Sequence, residues 1–207
     1  MLRPFLIGIA GASGSGKSEL AKHVHAAMHE PASILSLDCY YRVLDHLPLT
    51  ERQKMNFDHP DSLDWKLFLN HLDELIAGEG IEEPVYLFDQ HTRSTITCRP
   101  IEPAPLLIVE GILALHMEEV RKRMDLRVYV DAPDEVCFER RLFRDTRERG
   151  RTVESVIKQY ETTVRPMASQ YVWPSKWWAD LVVPGTGGYD VSVAAVLKAV
   201  ADRRTKQ

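Results

Sequence analysis

The sequence predicts an α/β fold built on a doubly wound parallel sheet of five strands, and three observations predict it. Short apolar runs recur along the chain, and most are separated by stretches with helical spacing. The first run leads directly into a glycine-rich loop that opens a helix. Two later runs each end in a carboxylate, and the carboxyl ends of parallel strands are where such sheets bind their ligands.

The composition is that of one ordinary globular domain. The chain has 207 residues, of which 44% are hydrophobic and 27% are charged. That is enough for one substantial core and too little for two full domains, so we expect a single domain over residues 1–207. The net charge of −4 argues against nucleic acid as a main partner. No apolar run reaches the length of a bilayer span, which argues against a membrane partner.

The cysteines indicate a reducing compartment. There are three of them, an odd number, and they lie far apart without forming a C-x-x-C pair. Free thiols of this kind are typical of the cytoplasm, so we expect a cytoplasmic protein.

Apolar runs and helical spacing together predict the order of the elements. Continuous apolar character is typical of parallel strands buried on both faces, and apolar residues three or four apart are typical of helices. The predicted strands are 5–10, 34–37, 106–110, 126–130 and 181–183. The predicted helices are 19–28, 63–77, 135–149, 152–169 and 191–201, with Thr152 as the N-cap of the fourth.

Two segments stand outside this alternation. Residues 85–88 and 95–97 flank a polar turn, which predicts a β-hairpin that forms a small lobe over about 84–101. Residues 140–151 contain six arginines, and a charge run of this kind usually forms a solvated helix face.

The glycine-rich loop at 11–18 has the G-x-x-x-x-G-K-[ST] pattern of a phosphate-binding loop. Its glycines let backbone N–H groups point at one anion, and the helix that follows adds its own positive field. Lys17 supplies a charge for the β- and γ-phosphates, and Ser18 offers a hydroxyl to Mg²⁺. The pattern predicts the P-loop NTPase fold. The residues expected to bind the nucleoside triphosphate are Gly11, Ala12, Ser13, Gly14, Ser15, Gly16, Lys17 and Ser18.

Two carboxylates follow strands that are expected to lie beside this loop. Phosphoryl transfer needs a group that accepts the proton of the nucleophile, and Asp38 is the candidate. Glu110 occupies a Walker-B-like position, so Glu110 and Ser18 are the candidate Mg²⁺ ligands. Two alternatives stay open: Asp38 could only form a turn at the strand end, and Glu110 could only fix the loop by hydrogen bonding.

Several segments together resemble the uridine kinase (uridine–cytidine kinase) family, from the first strand to residue 184. The hexapeptide Asn-Phe-Asp-His-Pro-Asp at 56–61 is far more specific than the phosphate loop. The matching segments are 11–18, 38–41, 56–61, 84–88 with His91 and Arg93, 109–113, 140–145, 147–151, 159–160 and 164–167. The resemblance implies a Mg²⁺-dependent transfer of the γ-phosphate of ATP or GTP to the 5′-hydroxyl of uridine or cytidine. It further implies a homotetramer.

The resemblance also implies roles for individual residues. Asp38 accepts the proton of the 5′-hydroxyl, and Asp58 binds the 2′- and 3′-hydroxyls of the ribose; a turn role for Asp58 is the alternative. The base pocket consists of Tyr41, Tyr86, Phe88 and His91, although Tyr41 and Phe88 could simply be core residues.

The arginine run at about 140–151 becomes a mobile helical lid in this family. Arg144 and Arg149 match arginines that close over the triphosphate, and Arg144 acts in catalysis with Lys17 and Asp38. Positions that touch the nucleoside are matched by Arg141, Arg151 and Gln159. The remaining two arginines, Arg140 and Arg147, are expected to be solvated.

Two other functions remain open at this stage. One is a phosphoribulokinase-like sugar-phosphate kinase, which would need a basic grip where the hairpin has aromatic residues. The other is a non-catalytic nucleotide-binding regulatory protein. The sequence departs from the family pattern at Leu87 and at the loop 185–189, and this leaves the role of that loop open.

Overall fold

The computed structural model of the chain describes residues 3–205. In that part of the chain, a parallel five-stranded sheet has the order β2-β5-β1-β6-β7, and an antiparallel pair, β3-β4, forms a separate hairpin. The strands are β1 (Phe5–Gly11), β2 (Ala32–Ser36), β3 (Ile81–Leu87), β4 (Thr92–Ile101), β5 (Leu106–Glu110), β6 (Leu126–Asp131) and β7 (Leu181–Pro184). The predicted α/β class, sheet and hairpin are confirmed.

Helices cover both faces of the sheet. They are α1 (Lys17–Ala27), α2 (Leu49–Arg52), α3 (Trp65–Ala77), α4 (Glu118–Arg121), α5 (Asp134–Glu148), α6 (Val153–Gln159), α7 (Arg165–Met167) and α8 (Tyr189–Arg204). Helices α1 and α8 pack on one face of the sheet, and α3 packs with the hairpin on the other. Across residues 3–205, none of these helices combines the length and the apolar character that crossing a bilayer requires.

The central strand β1 explains where the phosphate loop lies. Every residue of β1 is buried, because β5 and β6 flank it in parallel register and helices cover both of its faces. The loop that follows therefore leaves the sheet at its carboxyl edge. Ser18 and Glu110 come together at that edge because Ile9 of β1 pairs with Glu110 of β5.

Several element boundaries differ from the sequence predictions. Strand β2 ends at Ser36, and a short 3-10 turn, Leu37–Tyr40, places Asp38 two residues beyond the end of the strand. Helix α3 begins at Trp65, two residues later than predicted, because the side chain of Asp64 caps it by accepting a hydrogen bond from the Leu67 N–H at 3.2 Å. In the hairpin, β3 begins four residues earlier than the predicted segment 85–88 and ends one residue before it, and β4 extends beyond the predicted segment 95–97 at both ends.

The predicted helix over 152–169 begins as expected and then deviates. The Thr152 side chain caps α6 by accepting a hydrogen bond from the Ser155 N–H. A π-helical turn, Tyr160–Val164, follows, and helical turns continue to Trp178. Pro166 explains the change, because it has no N–H to donate and its ring crowds the preceding turn of an α-helix.

Candidate active site

A cavity of about 840 Å³ lies at the carboxyl edge of the sheet, between the phosphate loop, the hairpin and the arginine-rich helix α5. Most of the residues predicted from the sequence line it. They are Ser13, Gly14, Gly16, Lys17, Ser18, Asp38, Tyr41, Asp58, Tyr86, Phe88, His91, Glu110, Arg141, Arg144, Arg149, Arg151 and Gln159. Three predicted loop residues, Gly11, Ala12 and Ser15, are not part of this lining.

The phosphate loop has the backbone shape that its glycines predict. Gly14 and Gly16 have φ values of 85° and 96°, a left-handed region that favours glycine. A Cβ atom at Gly14 would clash with the carbonyl oxygen of Cys137, so the loop packs closely on the start of α5. Lys17 is only 6% exposed, and it lines the cavity. A buried cation at a glycine-rich loop that leads into a helix N-terminus is a site for an anion.

Glu110 ties the phosphate loop to strand β2. The Ser18 hydroxyl donates to one carboxylate oxygen of Glu110 at 2.8 Å, and the Ser36 hydroxyl donates to the other at 2.6 Å. Glu110 therefore fixes the loop, as one of the sequence alternatives expects. Hydroxyl and carboxylate oxygens are also the ligands that Mg²⁺ prefers, so this group fits that ion when substrate phosphates and water complete the shell.

Two aspartates face the cavity from different segments. Asp38 is half-buried on the turn after β2, and Asp58 is 6% exposed. The local turn at 56–58 is closed by the Asn56 side chain, which accepts a hydrogen bond from the Asp58 N–H at 3.1 Å. Burial raises the pKa of Asp58, and the Arg141 guanidinium partly opposes that rise. An Asp58 carboxylate in this setting is costly to bury unless a ligand pairs with it.

Aromatic rings form one wall of the cavity. The ring centres of Tyr41 and Tyr86 are 5.0 Å apart, and so are those of Tyr86 and Phe88. The His91 ring stacks on Phe57 at 5.7 Å, and burial together with the nearby arginines lowers the pKa of His91. His91 is therefore neutral at pH 7, and a neutral imidazole offers one donor and one acceptor. Phe57 was not assigned a role from the sequence, although it lies within the matching hexapeptide.

The predicted arginines come together above the loop. The buried Arg141 donates to the Ser13 hydroxyl and to the Gln159 side-chain oxygen, each at 2.9 Å. Arg151 donates to the same oxygen of Gln159. Arg144 is paired with Asp145 at 2.8 Å, an aspartate that the sequence analysis did not single out.

The expectation that Arg140 is solvated is wrong. Its guanidinium donates to the carbonyl oxygens of Gly14, Ser15 and Gly185, at 3.3, 3.4 and 2.7 Å. Arg140 thus braces the phosphate loop against the loop 185–189, whose contact with the site was left open from the sequence. By contrast, Arg147 is exposed, as expected, and lies over the ring of Phe143.

A buried carboxylate on the hairpin also escaped the sequence analysis. Glu83 is 1% exposed, accepts a hydrogen bond from the Ser36 N–H at 3.1 Å, and is paired with Arg99. It thereby connects the hairpin to β2, whose last residue, Ser36, also donates a hydrogen bond to Glu110. In the sequence, Glu83 stands beside a second glutamate, and nothing local distinguishes the buried one.

Comparisons with known proteins identify the family of the chain. A family model described as the phosphoribulokinase / uridine kinase family matches residues 6–192. A protein named uridine kinase from Lactobacillus johnsonii is 46% identical over 193 residues, covering 92% of this chain and 91% of that protein. Another of that name from Clostridium botulinum (strain Okra / Type B1) is 46% identical over 194 residues, covering 93% of this chain and 94% of the relative.

Solved structures show the same fold at lower identity. Phosphoribulokinase from Rhodobacter spheroides superposes with a TM-score of 0.62 at 15% identity, covering 88% of this chain and 70% of that one. D-glycerate 3-kinase from Cryptococcus neoformans superposes with a TM-score of 0.60 at 17% identity, covering 83% and 79%. At these identities the likeness is one of fold.

Proposed function

Because the chain belongs to the phosphoribulokinase/uridine kinase family, we propose that it transfers the γ-phosphate of ATP to the 5′-hydroxyl of uridine and of cytidine, giving UMP and CMP. One observation carries the proposal: a single cavity joins the phosphate loop and Asp38 to an aromatic pocket that also contains Asp58. The relatives named uridine kinase, which match more than nine-tenths of the chain, support it.

The acceptor side of the cavity suits a ribonucleoside. The two carboxylate oxygens of Asp58 would accept hydrogen bonds from the 2′- and 3′-hydroxyls, whose donors compensate the burial of that carboxylate. The rings of Tyr41, Tyr86 and Phe88 would hold the pyrimidine, and the neutral His91 would meet either the uracil O4 or the cytosine amino group. This arrangement would allow both bases to bind.

The donor side of the cavity suits a triphosphate. Loop N–H groups and Lys17 would bind its phosphates, and Arg144 and Arg149 would neutralise charge that develops on the transferred group. Asp38 would take the proton from the 5′-hydroxyl as that oxygen attacks phosphorus. Ser18 and Glu110 would hold a Mg²⁺ ion, which supplies charge neutralisation on the phosphate oxygens when bound.

Three further parts of the proposal come from the resemblance and from composition. GTP is a second donor, the active protein is a homotetramer, and it is cytoplasmic. A sugar-phosphate kinase is disfavoured, because the hairpin wall of the cavity is largely aromatic and its cavity-lining arginine, Arg99, is already paired with Glu83.

The proposal is tested by measuring turnover with ATP and Mg²⁺ on five acceptors: uridine, cytidine, 2′-deoxycytidine, adenosine and ribulose 5-phosphate. We expect turnover of uridine and cytidine, weak use of 2′-deoxycytidine, and none of the others. Asp38→Asn should lower kcat by roughly 10²–10⁴-fold, the usual contribution of a general base. The matched control is Asp61→Asn, whose side chain is 92% exposed and lies outside the cavity lining.

The other outcomes each contradict a part of the proposal. Turnover of ribulose 5-phosphate without that of a nucleoside would show that the base pocket is misassigned. ATP hydrolysis that does not respond to any acceptor would favour a regulatory nucleotide-binding protein. Full activity in Asp38→Asn would remove that residue from its role as base.

A further inference from the structure

Asp145 of α5 is surrounded by guanidinium groups above the phosphate loop. Its carboxylate is only 1% exposed. Within 4 Å of it lie Arg144 at 2.8 Å, Arg141 and Arg149 at 3.5 Å, and Arg151 at 3.7 Å. These are the four arginines predicted for the site, two on the triphosphate side and two on the nucleoside side. One aspartate therefore contacts both halves of the cavity.

The four contacts differ in kind. Among the side chains of residues 3–205, only that of Arg144 donates a hydrogen bond to the Asp145 carboxylate, from Nε to Oδ1 at 2.9 Å, and its Nη2 forms an ion pair with the same oxygen at 2.8 Å. The Nε of Arg141 and the Oδ2 of Asp145 face each other at 3.5 Å, and within residues 3–205 neither atom makes a hydrogen bond. Attraction at this distance holds the guanidinium groups of Arg141, Arg149 and Arg151 close to Asp145 without a hydrogen bond that would fix them to it.

The charge balance shows why the aspartate is needed. Four cations within a few ångströms repel one another, and the repulsion is strong where water is excluded. Burial and the charge of Arg144 both lower the pKa of Arg149. Burial alone would raise the pKa of Asp145, yet the arginines more than offset that effect and hold it below its ordinary value. Asp145 is thus ionised at neutral pH, and the cluster keeps an excess positive charge.

A backbone hydrogen bond at Asp145 also holds the segment that follows α5. The Arg151 N–H donates to the Asp145 carbonyl oxygen at 3.1 Å, which folds the segment after α5 back onto the helix. Gly150, with a φ of 62°, makes the reversal between them. Side chain and backbone of Asp145 therefore hold the same stretch of chain, 141–151.

We propose that Asp145 is a positioning residue that holds the four arginines in one arrangement. The triphosphate and the nucleoside would then both be bound by a single ordered segment. The kinetic part of this inference rests on the proposed function. The structural part, that Asp145 orders residues 141–151, does not.

The test compares Asp145→Asn with a matched control, Asp180→Asn. Asp180→Asn also removes a carboxylate that pairs with two arginines, Arg127 at 2.7 Å and Arg203 at 3.0 Å. Asp180 does not line the cavity. Two quantities are measured: uridine turnover, and hydrogen exchange of the amides of 141–152 in the protein without ligand. The exchange of β1 amides serves as the internal reference for global unfolding.

For Asp145→Asn we expect a fall in kcat of at least tenfold and exchange over 141–152 at least tenfold faster, with β1 unchanged. For Asp180→Asn both quantities should stay within threefold of the native protein. Unchanged exchange and kcat in Asp145→Asn would overturn the proposal. So would an equal loss in Asp180→Asn, or faster exchange everywhere, because either result would indicate general destabilisation.

A second variant keeps the proposal testable if Asp145→Asn does not fold. Asp145→Glu keeps the negative charge, so hydrogen exchange over 141–152 should stay within threefold of that in the native protein. Exchange at least tenfold faster in this variant, despite the intact charge, would overturn the proposal. If the native protein phosphorylates no nucleoside, the proposed function fails, while the exchange measurement still decides the role of Asp145.

Discussion

The guanidinium carbon of Arg149 lies 4.0 Å from the centre of the Phe88 ring. Arg149 follows the last turn of α5, and Phe88 follows the last residue of β3, so two walls of the cavity touch at this point. A cation over an aromatic face is attracted without the directional demands of a hydrogen bond. The contact therefore couples a predicted base-pocket residue to a predicted phosphate-binding arginine.

Replacing the ring tests that coupling. Phe88→Leu keeps apolar bulk and removes the aromatic face, so we expect the KM for ATP to rise about two- to fivefold, which corresponds to a cation–π contact of about 0.5–1 kcal/mol. Steady-state kinetics with saturating uridine measure this. Phe143→Leu is the control, since Arg147 lies over Phe143 at 4.6 Å on the exposed side of the same helix. An equal rise in the control would show that the effect does not come from the cavity.

The buried charge of Asp58 is expected to lower the stability of the protein while it serves the binding of ribose. In Asp58→Asn the buried charge is gone, so we expect a higher Tm and at least a tenfold loss of discrimination between cytidine and 2′-deoxycytidine. Thermal unfolding and competition between the two nucleosides measure the two effects. Asp61→Asn should change neither. A lower Tm in Asp58→Asn would mean that the carboxylate is already compensated without a ligand.

The raised pKa of Asp58 also predicts a pH dependence. The folded state binds this proton more tightly than the unfolded state does, so the contribution of Asp58 to stability declines as the pH rises through its folded pKa. Ribose binding needs the ionised form. We therefore expect the KM for uridine to increase on acidification, starting above the usual aspartate range, and this dependence should vanish in Asp58→Asn. An identical pH profile in that variant would contradict the assignment.

Glu110→Gln separates the two roles considered for Glu110. The amide still accepts one hydrogen bond, from Ser18 or Ser36, but it is a poorer ligand for a divalent cation. We expect the Mg²⁺ concentration for half-maximal rate to rise about tenfold or more, measured at fixed ATP. Glu30→Gln, which removes a remote pair with Arg204, is the control. A lower kcat with an unchanged Mg²⁺ requirement would show that Glu110 only fixes the loop.

Arg140→Ala tests the brace between the phosphate loop and residue 185. Three carbonyl oxygens lose a charged donor, so we expect a loss of about 1–3 kcal/mol in unfolding free energy and a higher KM for ATP. Denaturant unfolding and ATP kinetics measure these. Arg147→Ala, which removes an exposed arginine of the same helix, should stay within about 0.5 kcal/mol of native. Similar unfolding free energies and similar KM values for ATP in both variants would show that Arg140 does not stabilise the phosphate loop.

Much of the fold was predictable because its signals are local. Continuous apolar runs identified the strands, and Thr152 identified the start of α6, since a strand or a cap depends on residues adjacent in sequence. Pro166 shows the limit of such signals. Its effect on the helix depends on how the chain on both sides packs, and here the chain continues through π-helical turns.

By itself, the sequence determined the α/β class, the phosphate loop and the family, because each rests on residue types at fixed spacings within short segments. Only the tertiary structure decided which charges meet. It placed Arg140 on the phosphate loop, Glu83 beside Ser36, and four arginines around Asp145. The physical reason is that the energy of a charged group depends on its burial and on partners from distant segments. A charge run in the sequence looks the same whether it faces solvent or a buried carboxylate.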